Sequence, residues 1–325
     1  MRDQLRSRIF SIDDADFEAL AMDVFRYQFD LNPVYRDFCR LLNKSPEKIN
    51  NLTELPFLPV EIFKSKRITT GNTEADFIFT SSGTTHSTPA KHYVPDVSLY
   101  EQSFIACFQM FFGDPADWAI LALLPSYLER EGSSLIYMTD HLIRKSRHAE
   151  SGFFLYDHKE LCDHLMRLEE KKVKTILLGV SYALLDFAEK NQLSLQSTVV
   201  METGGMKGRR AELTRDELHH IIMSRLGVLH VASEYGMTEL LSQAYSLSDG
   251  MFNSPPWMRV LAREINDPLN VGTETGAANI IDLANLDSCC FIATADLVKI
   301  HSIRQFEVLG RMDNEDIRGC NLLVE

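Results

Sequence analysis

Five short segments carry residue types suited to holding a phosphorylated ligand. FTSSGTTHSTPAKH, residues 79–92, sets Ser81, Ser82, Thr84 and Thr85 around Gly83, with Lys91 and His92 behind them. Small hydroxyl residues around a glycine let the backbone approach a phosphate, whose oxygens then accept from N–H and hydroxyl groups. METGGMKGRR places Gly204 and Gly205 ahead of Lys207, Arg209 and Arg210. Paired glycines admit a flat ring against the backbone, and the cations make the loop locally basic. SEYGMTEL offers Tyr235 to stack on a base, then Gly236, Thr238 as a donor to phosphate, and Glu239 as an oxygen ligand for Mg²⁺. In ATADLVKI, Asp296 can accept from both hydroxyls of a ribose. VLGRMDNEDIRGC carries Arg311, Asp313, Arg318 and Cys320. Each segment also has a plainer reading. These are a Ser/Thr-rich surface loop, a turn before a solvated basic helix start, a helix N-terminus capped at Thr238, a turn aspartate and a frayed terminal thiol.

Apolar periodicity supplies the elements that must position these segments. Strands are expected at Phe77–Thr80, Trp118–Leu124, Val173–Leu178, Thr198–Met201, Val228–Ala232, Asn279–Asp282 and Cys290–Thr294. Helices fit Ser98–Phe111, Lys159–Lys171, Ser181–Asn191 and Thr214–Leu226. Such alternation predicts an α/β fold on a largely parallel sheet. Ligands on such sheets gather at the carboxyl ends of strands, which points to the loops after Thr80, Met201, Ala232 and Thr294. Upstream, Ser11 is expected to cap a helix with Asp13 and Asp14 in its first turn and Phe17, Leu20, Ala21, Val24 and Phe25 on its apolar face. Asn32-Pro33 restarts a helix, and Pro46, Pro56 and Pro59 punctuate an extended link. The expected organisation is a helical leader and link over 1–70, an α/β domain over 71–309 and a short tail over 310–325.

The chain has 325 residues, and 33 Lys and Arg against 46 Asp and Glu give a net charge of −13. That excess disfavours an extended nucleic-acid face, which must be basic, and leaves room for a nucleotide in a locally basic pocket. The longest apolar run, WAILALLP from Trp118 to Pro125, is far shorter than the ~18–20 residues of a membrane helix. The N-terminus has no secretory apolar core, so the expected location is the cytoplasm. No CxxC pair exists among Cys39, Cys107, Cys162, Cys289, Cys290 and Cys320. The first five are expected to pack as small hydrophobes. Solvated or core positions are expected for His219, His220 and His230.

The order of the segments is more specific than any one of them. A hydroxyl-rich loop, a GG loop, YGxTE, a strand-end Asp and GRxD in succession resemble the adenylate-forming (acyl-activating) superfamily from Thr80 to Asp313. YGMTE is the most specific element. Within it, NPVYRDFC, LPFLPVEIFKSKRI, TSSGTT, GGMKGR and the terminal RGC are similar to the LuxE-type acyl-protein synthetases. The resemblance implies a large adenylate-forming domain of mostly parallel sheets flanked by helices, without the usual further C-terminal domain and its catalytic lysine. Only 12 residues follow Asp313 in a chain of 325. It also implies an ATP- and Mg²⁺-dependent ligase that converts a carboxylic acid, of fatty or apolar type, to an acyl-AMP. Ser82, Gly83, Thr84 and Thr85 then belong to the phosphate loop, flanked by Ser81 and Lys91. Gly204, Gly205 and Tyr235 frame adenine beside Gly236, Thr238 meets the α-phosphate, Glu239 the metal, and Asp296 and Arg311 the ribose.

The same resemblance implies an enzyme cysteine near the C-terminus as acyl acceptor, which is Cys320 by position, with an acyl reductase or acyl carrier as partner. Cys320 lies nine positions after Arg311, a reach of about 30 Å at ~3.3–3.6 Å per residue. Arg318 beside it favours the thiolate. The acid is expected near Leu124-Pro125, Gly179-Val180-Ser181 and Gly205. There are departures from the family pattern. His86-Ser87 replaces a glycine step, Ala295 replaces the Gly of TGD, and LPSYLEREGSSL carries no histidine. Two rival readings keep part of this chemistry: a ligase that delivers its acyl group to coenzyme A or a carrier, and a non-catalytic nucleotide- or acyl-binding relative.

Overall fold

The computed structural model describes residues 1–71, 74–81, 88–125, 132–204 and 213–312. In chain order the helices are α1 (Arg2–Ile9), α2 (Phe17–Leu31), α3 (Pro33–Leu41), α4 (Val97–Phe112), α5 (Ser134–Lys145), α6 (His158–Glu170), α7 (Ser181–Lys190) and α8 (Arg215–Leu226). The strands begin with β1 (Leu58–Pro59), β2 (Phe77–Thr80), β3 (Lys91–Val94), β4 (Ala119–Leu123), β5 (Gly152–Phe153), β6 (Thr175–Val180), β7 (Thr198–Thr203) and β8 (Val231–Tyr235). They continue with β9 (Ala244–Ser246), β10 (Met251–Asn253), β11 (Met258–Arg263), β12 (Val271–Thr273), β13 (Thr275–Asp282), β14 (Phe291–Ile300) and β15 (Gln305–Arg311). Two compact units result. One comprises Met1–Ile78, Ala90–Val97 and the chain from Asn253 onward; the other comprises Phe79–Pro89 and Ser98–Phe252. These boundaries cut across the 1–70, 71–309 and 310–325 segments expected from sequence.

The Ser98–Phe252 unit carries the expected parallel sheet, in the order β8-β7-β6-β4-β5, with β9 antiparallel at its edge. AILAL of β4 and TILLGV of β6 are wholly buried, as continuous apolar strands must be when helices cover both faces. Helix α8 is bounded by a Thr214–Glu217 capping box and by Gly227 at φ +70°. A Cβ at Gly227 would lie 2.8 Å from Leu193 O, so glycine is required there. Strands β7 and β8 run further toward the site than expected. Apolar content alone ends them at Met201 and Ala232, but Glu202, Thr203, Ser233 and Glu234 are buried polar residues that continue the ladder. The start of β8 also moves to Val231, because Leu229 and His230 are exposed in the turn after α8.

The other unit departs from the parallel expectation. Its sheet β12-β11-β13-β14-β15 is antiparallel, with only β1 parallel to β14. Short hairpin connections replace crossover helices here, and those joints permit antiparallel pairing. The leader helices belong to this unit. Gln28 of α2 donates to the carbonyls of Asn285 and Leu286, each at 3.0 Å, and its Oε1 accepts from Cys290 N–H at 2.9 Å. Asn32 donates to Ser288 O at 2.8 Å, and Tyr35 stacks on Phe291. Ser11 does not cap a helix: its hydroxyl donates to Ser7 and Arg8 carbonyls behind α1, and α2 starts at Phe17 after an Asp13 turn.

Candidate functional site

Parallel pairing fixes the heart of the candidate site. Thr203 of β7 stands opposite Glu234 of β8, so Gly204 and Tyr235 lie at the carboxyl ends of adjacent strands. Gly204 is exposed with φ +63°, and Tyr235 is 9% exposed with its ring edge-on to Phe252 at 5.9 Å. Thr238 and Glu239 form a turn rather than a helix N-terminus: Leu240 N–H meets Met237 O at 3.1 Å and the chain enters β9. The plainer reading of this segment as a helix N-terminus capped at Thr238 therefore does not hold. Thr238 is half-buried and Glu239 only 7% exposed. Ser81 follows β2, half-buried, where Thr80 N–H donates to Gly132 O at 2.7 Å.

Two buried carboxyl groups underlie the strand ends. Glu202 Oε2 accepts from Ser181 Oγ at 2.9 Å, and Oε1 faces His219 Nε2 at 3.9 Å and Arg215 Nε at 4.0 Å. Burial pushes its pKa up, but His219, Ser233, Ser181 and the Arg215 charge outweigh burial and hold it below the ordinary carboxylate value. Glu234 behaves oppositely. Burial pushes its pKa up to about 7, the Thr203 hydroxyl bond opposes this, and the nearby Glu202 charge adds to it. Gly236 belongs to the same arrangement, since a Cβ there would come within 2.5 Å of Glu234 Oε1.

Asp296 and Arg311, in the other unit, are brought face to face by the β14/β15 register. Asp296 lies within β14, not past its end. Ala293 pairs with Asn279 and Leu297 with Ala277, so Thr294–Asp296 all face the single Ala278. Such a bulge re-aims side chains without ending the strand. Asp296 N–H donates to Thr294 Oγ1 at 3.2 Å, and Met312 N–H to Ala295 O at 2.8 Å. Arg311 is exposed, and so is Lys91, the first residue of β3.

Ser82, Gly83, Thr84, Thr85, Gly205 and Cys320 lie outside the described residues. At the expected acid slot, Leu124, Val180 and Ser181 are buried, and a Cβ at Gly179 would lie 2.9 Å from Leu184 Cγ. The protein's own side chains fill that position. Cys39, Cys107, Cys289 and Cys290 are buried as expected, while Cys162 is half-buried. Burial pushes the Cys39 thiol up to about 12 and also raises Cys162, Cys289 and Cys290. His219 is a core residue, and His220 and His230 are exposed.

Among the described residues no cluster of three His, Cys, Asp or Glu side chains could hold a metal. Mg²⁺ bound with a nucleotide takes one or two carboxylates plus phosphates and water, so a single buried carboxylate such as Glu239 suits it. Sequence reasoning did not single out Glu202, Glu234 or Arg215. The available signal was a carboxylate just before each glycine-bearing turn, in METGG and SEYG.

No family profile matches the chain. It is 20% identical over 340 residues to the long-chain-fatty-acid–luciferin-component ligase of Aliivibrio fischeri, covering 94% of this chain and 86% of that protein. The Vibrio harveyi protein of the same name is 20% identical over 336 residues, covering 93% and 85%. Among solved structures, 2-hydroxyisobutyryl-CoA ligase in complex with 2-HIB-AMP and CoA superposes with a TM-score of 0.65 at 14% identity, over 92% of this chain and 69% of that one. The fold is that of the adenylate-forming ligases. No helix among the described residues is long and apolar enough to cross a membrane.

Proposed function

We propose that this chain is an AMP-forming ligase that activates a carboxylic acid with ATP. The observation that carries the reading is the pairing of β7 with β8. It brings Gly204 and the start of the YGMTE segment to neighbouring strand ends, on the fold of adenylate-forming ligases and in a sequence similar to fatty-acid ligases. The carboxylate oxygen of the acid attacks the α-phosphorus of ATP, the bond to the β-phosphate oxygen breaks, and pyrophosphate leaves. Negative charge accumulates on phosphate oxygens in this step, so preorganised donors supply most of the catalysis. Ser81, Ser82, Gly83, Thr84, Thr85 and Lys91 serve the leaving phosphates, and Thr238 donates to the α-phosphate. Gly204, Gly205 and Tyr235 frame the adenine beside Gly236, while Asp296 and Arg311 take the ribose role. Mg²⁺ entering with ATP would neutralise phosphate charge, with Glu239 as its protein ligand. The similarity to long-chain-fatty-acid ligases favours an apolar acyl chain.

In the second step the Cys320 thiolate attacks the acyl carbonyl, the carbonyl carbon–oxygen bond to AMP breaks, and a thioester and AMP result. The thiol proton is released to solvent, and an acyl reductase or acyl carrier then takes the acyl group. Exchange of labelled pyrophosphate into ATP across a panel of acids tests the first step. Exchange with fatty acids, lost in Glu239→Gln, is the expected result, and no exchange with any acid despite nucleotide binding overturns it in favour of a non-catalytic relative. Trapping a hydroxylamine-labile acyl-protein tests the second. Label absent from Cys320→Ser with exchange intact supports transfer to the enzyme; label retained by Cys320→Ser, or appearing only on coenzyme A, rejects it.

A further inference from the structure

The two glycine-bearing turns rest on a polar chain that none of the steps above uses. Glu202 is nine-tenths buried near the end of β7. Its Oε2 accepts from Ser181 Oγ, at the first residue of α7, and the same hydroxyl is in hydrogen-bond contact with the carbonyl of Gly204. Ser181 N–H faces that carbonyl as well, at 3.4 Å. On its other side, Glu202 Oε1 looks toward α8. Arg215 Nε stands at 4.0 Å, and His219 Nε2, which is buried and makes no hydrogen bond, stands at 3.9 Å. The Arg215 guanidinium lies over the Phe252 ring at 5.3 Å, and Phe252 meets the Tyr235 ring at 5.9 Å and 65°. Close packing leaves Arg215 little freedom, because even a Cβ at Gly250 would lie 2.9 Å from its Nη1. One unbroken path therefore runs from Gly204 through Ser181, Glu202, Arg215 and Phe252 to Tyr235, all within one compact unit.

A buried carboxylate is a poor choice for stability alone. Replacing a buried charge network by apolar side chains is often neutral or stabilising. A charge kept here, reaching both turns through different partners, suits a part whose task is registration of one turn against the other. We propose that Glu202 is a positioning residue for nucleotide recognition, holding Gly204 through Ser181 and Tyr235 through Arg215 and Phe252 at the spacing an adenine ring needs. This role rests on the adenylate-forming reading. Glu202 touches no substrate, so its effect falls on how tightly and how selectively the base is held, not on the bond-breaking step.

The test is steady-state pyrophosphate exchange on the full chain with Glu202→Gln, Glu202→Asp, Ser181→Ala and Phe252→Leu, beside thermal melting of each. Glu202→Gln keeps the shape and still accepts from Ser181 but no longer attracts Arg215. Small displacements of a binding group carry large kinetic penalties, so the KM for ATP should rise about tenfold while kcat and the KM for the acid stay within about twofold. The preference for ATP over GTP should narrow in parallel, and Glu202→Asp should restore much of it. Phe252→Leu removes the ring between Arg215 and Tyr235 and leaves the Glu202 carboxylate in place, so it should repeat the ATP effect. An unchanged KM for ATP and unchanged base preference in Glu202→Gln and Phe252→Leu overturn the role. So does a uniform loss of every parameter that tracks melting temperature and is not rescued by Asp. A wild-type chain that exchanges pyrophosphate with no acid and binds no adenine nucleotide instead removes the adenylation reading, and this role with it.

Discussion

Glu202 and Glu234 stand near the carboxyl ends of adjacent parallel strands, and their surroundings shift their pKa values in opposite directions. Glu202 has donors and a cation on two sides. Glu234 has the Thr203 hydroxyl and, across a short distance, the negative charge of Glu202. The consequence for stability has a definite sign. Glu234 ionises near its usual 4.5 when the chain is unfolded and near 7 when it is folded. Below about pH 4.5 the group is protonated in both states and contributes no pH dependence. Between pH 4.5 and 7 the folded chain holds a proton that the unfolded chain has released, so this group makes stability fall as pH rises, and above 7 the penalty is constant. Glu234→Gln removes the titration and keeps an acceptor for Thr203. Urea midpoints of the variant minus those of the wild type should therefore increase from pH 4.5 to 7 by the equivalent of at most about 3 kcal/mol. A difference that is flat across that range shows that Glu234 is ionised in the folded protein.

At the scale of elements, α2 is held to the loop before β14 by one side chain that does the work of several backbone partners. Gln28 donates to the carbonyls of Asn285 and Leu286 and accepts from the N–H of Cys290. Leucine has similar volume and none of these bonds, so Gln28→Leu leaves buried backbone groups unpaired, and each such group costs about 1–3 kcal/mol. A loss of about 2–4 kcal/mol in urea unfolding is expected, and a neutral result shows that water replaces the amide. This joint was not legible in the sequence: Gln28 reads as an ordinary polar helix residue, and its partners lie more than 250 positions away. The parallel strands were legible because continuous apolar runs such as AILAL are rare outside doubly covered strands. Strands β9, β10 and β12, three residues each, are too short to show a period. Strand β14 hides its second half because ADLVKI is only partly buried. Chemistry-bearing residue types marked Tyr235, Thr238 and Glu239 as candidates in one unit and Asp296 and Arg311 in the other. What the spacing could not show was the support beneath Gly204 and Tyr235, since Ser181, Glu202 and Arg215 meet only after α7, β7 and α8 are stacked.

For the whole molecule, the net charge of −13 and the proposed substrate pull in opposite directions. A field of that sign repels polyanions at long range, so ATP must be held by local donors and cations, for which Lys207, Arg209 and Arg210, close after Gly204-Gly205 in the sequence, are candidates. Extended polyanions gain nothing from a local site of this kind. Any ligand that binds only the folded chain raises its stability by about 2.7 kcal/mol at a hundred times its Kd, and about 2–4 °C of melting temperature accompany each kcal/mol in domains of this size. A non-hydrolysable acyl-adenylate analogue carrying a long acyl chain should therefore raise the melting temperature by about 5–10 °C. ATP with Mg²⁺ should raise it less, and duplex DNA at equal phosphate concentration should leave it unchanged. The comparison separates the readings because an analogue with the acyl chain removed tests the base, ribose and phosphate contacts alone. If it protects as well as the full analogue, the protein binds nucleotide without an acyl pocket and the acid-activating function fails. If only the acylated compound gives the full shift, both halves of the ligand are recognised in the folded chain, as acid activation requires.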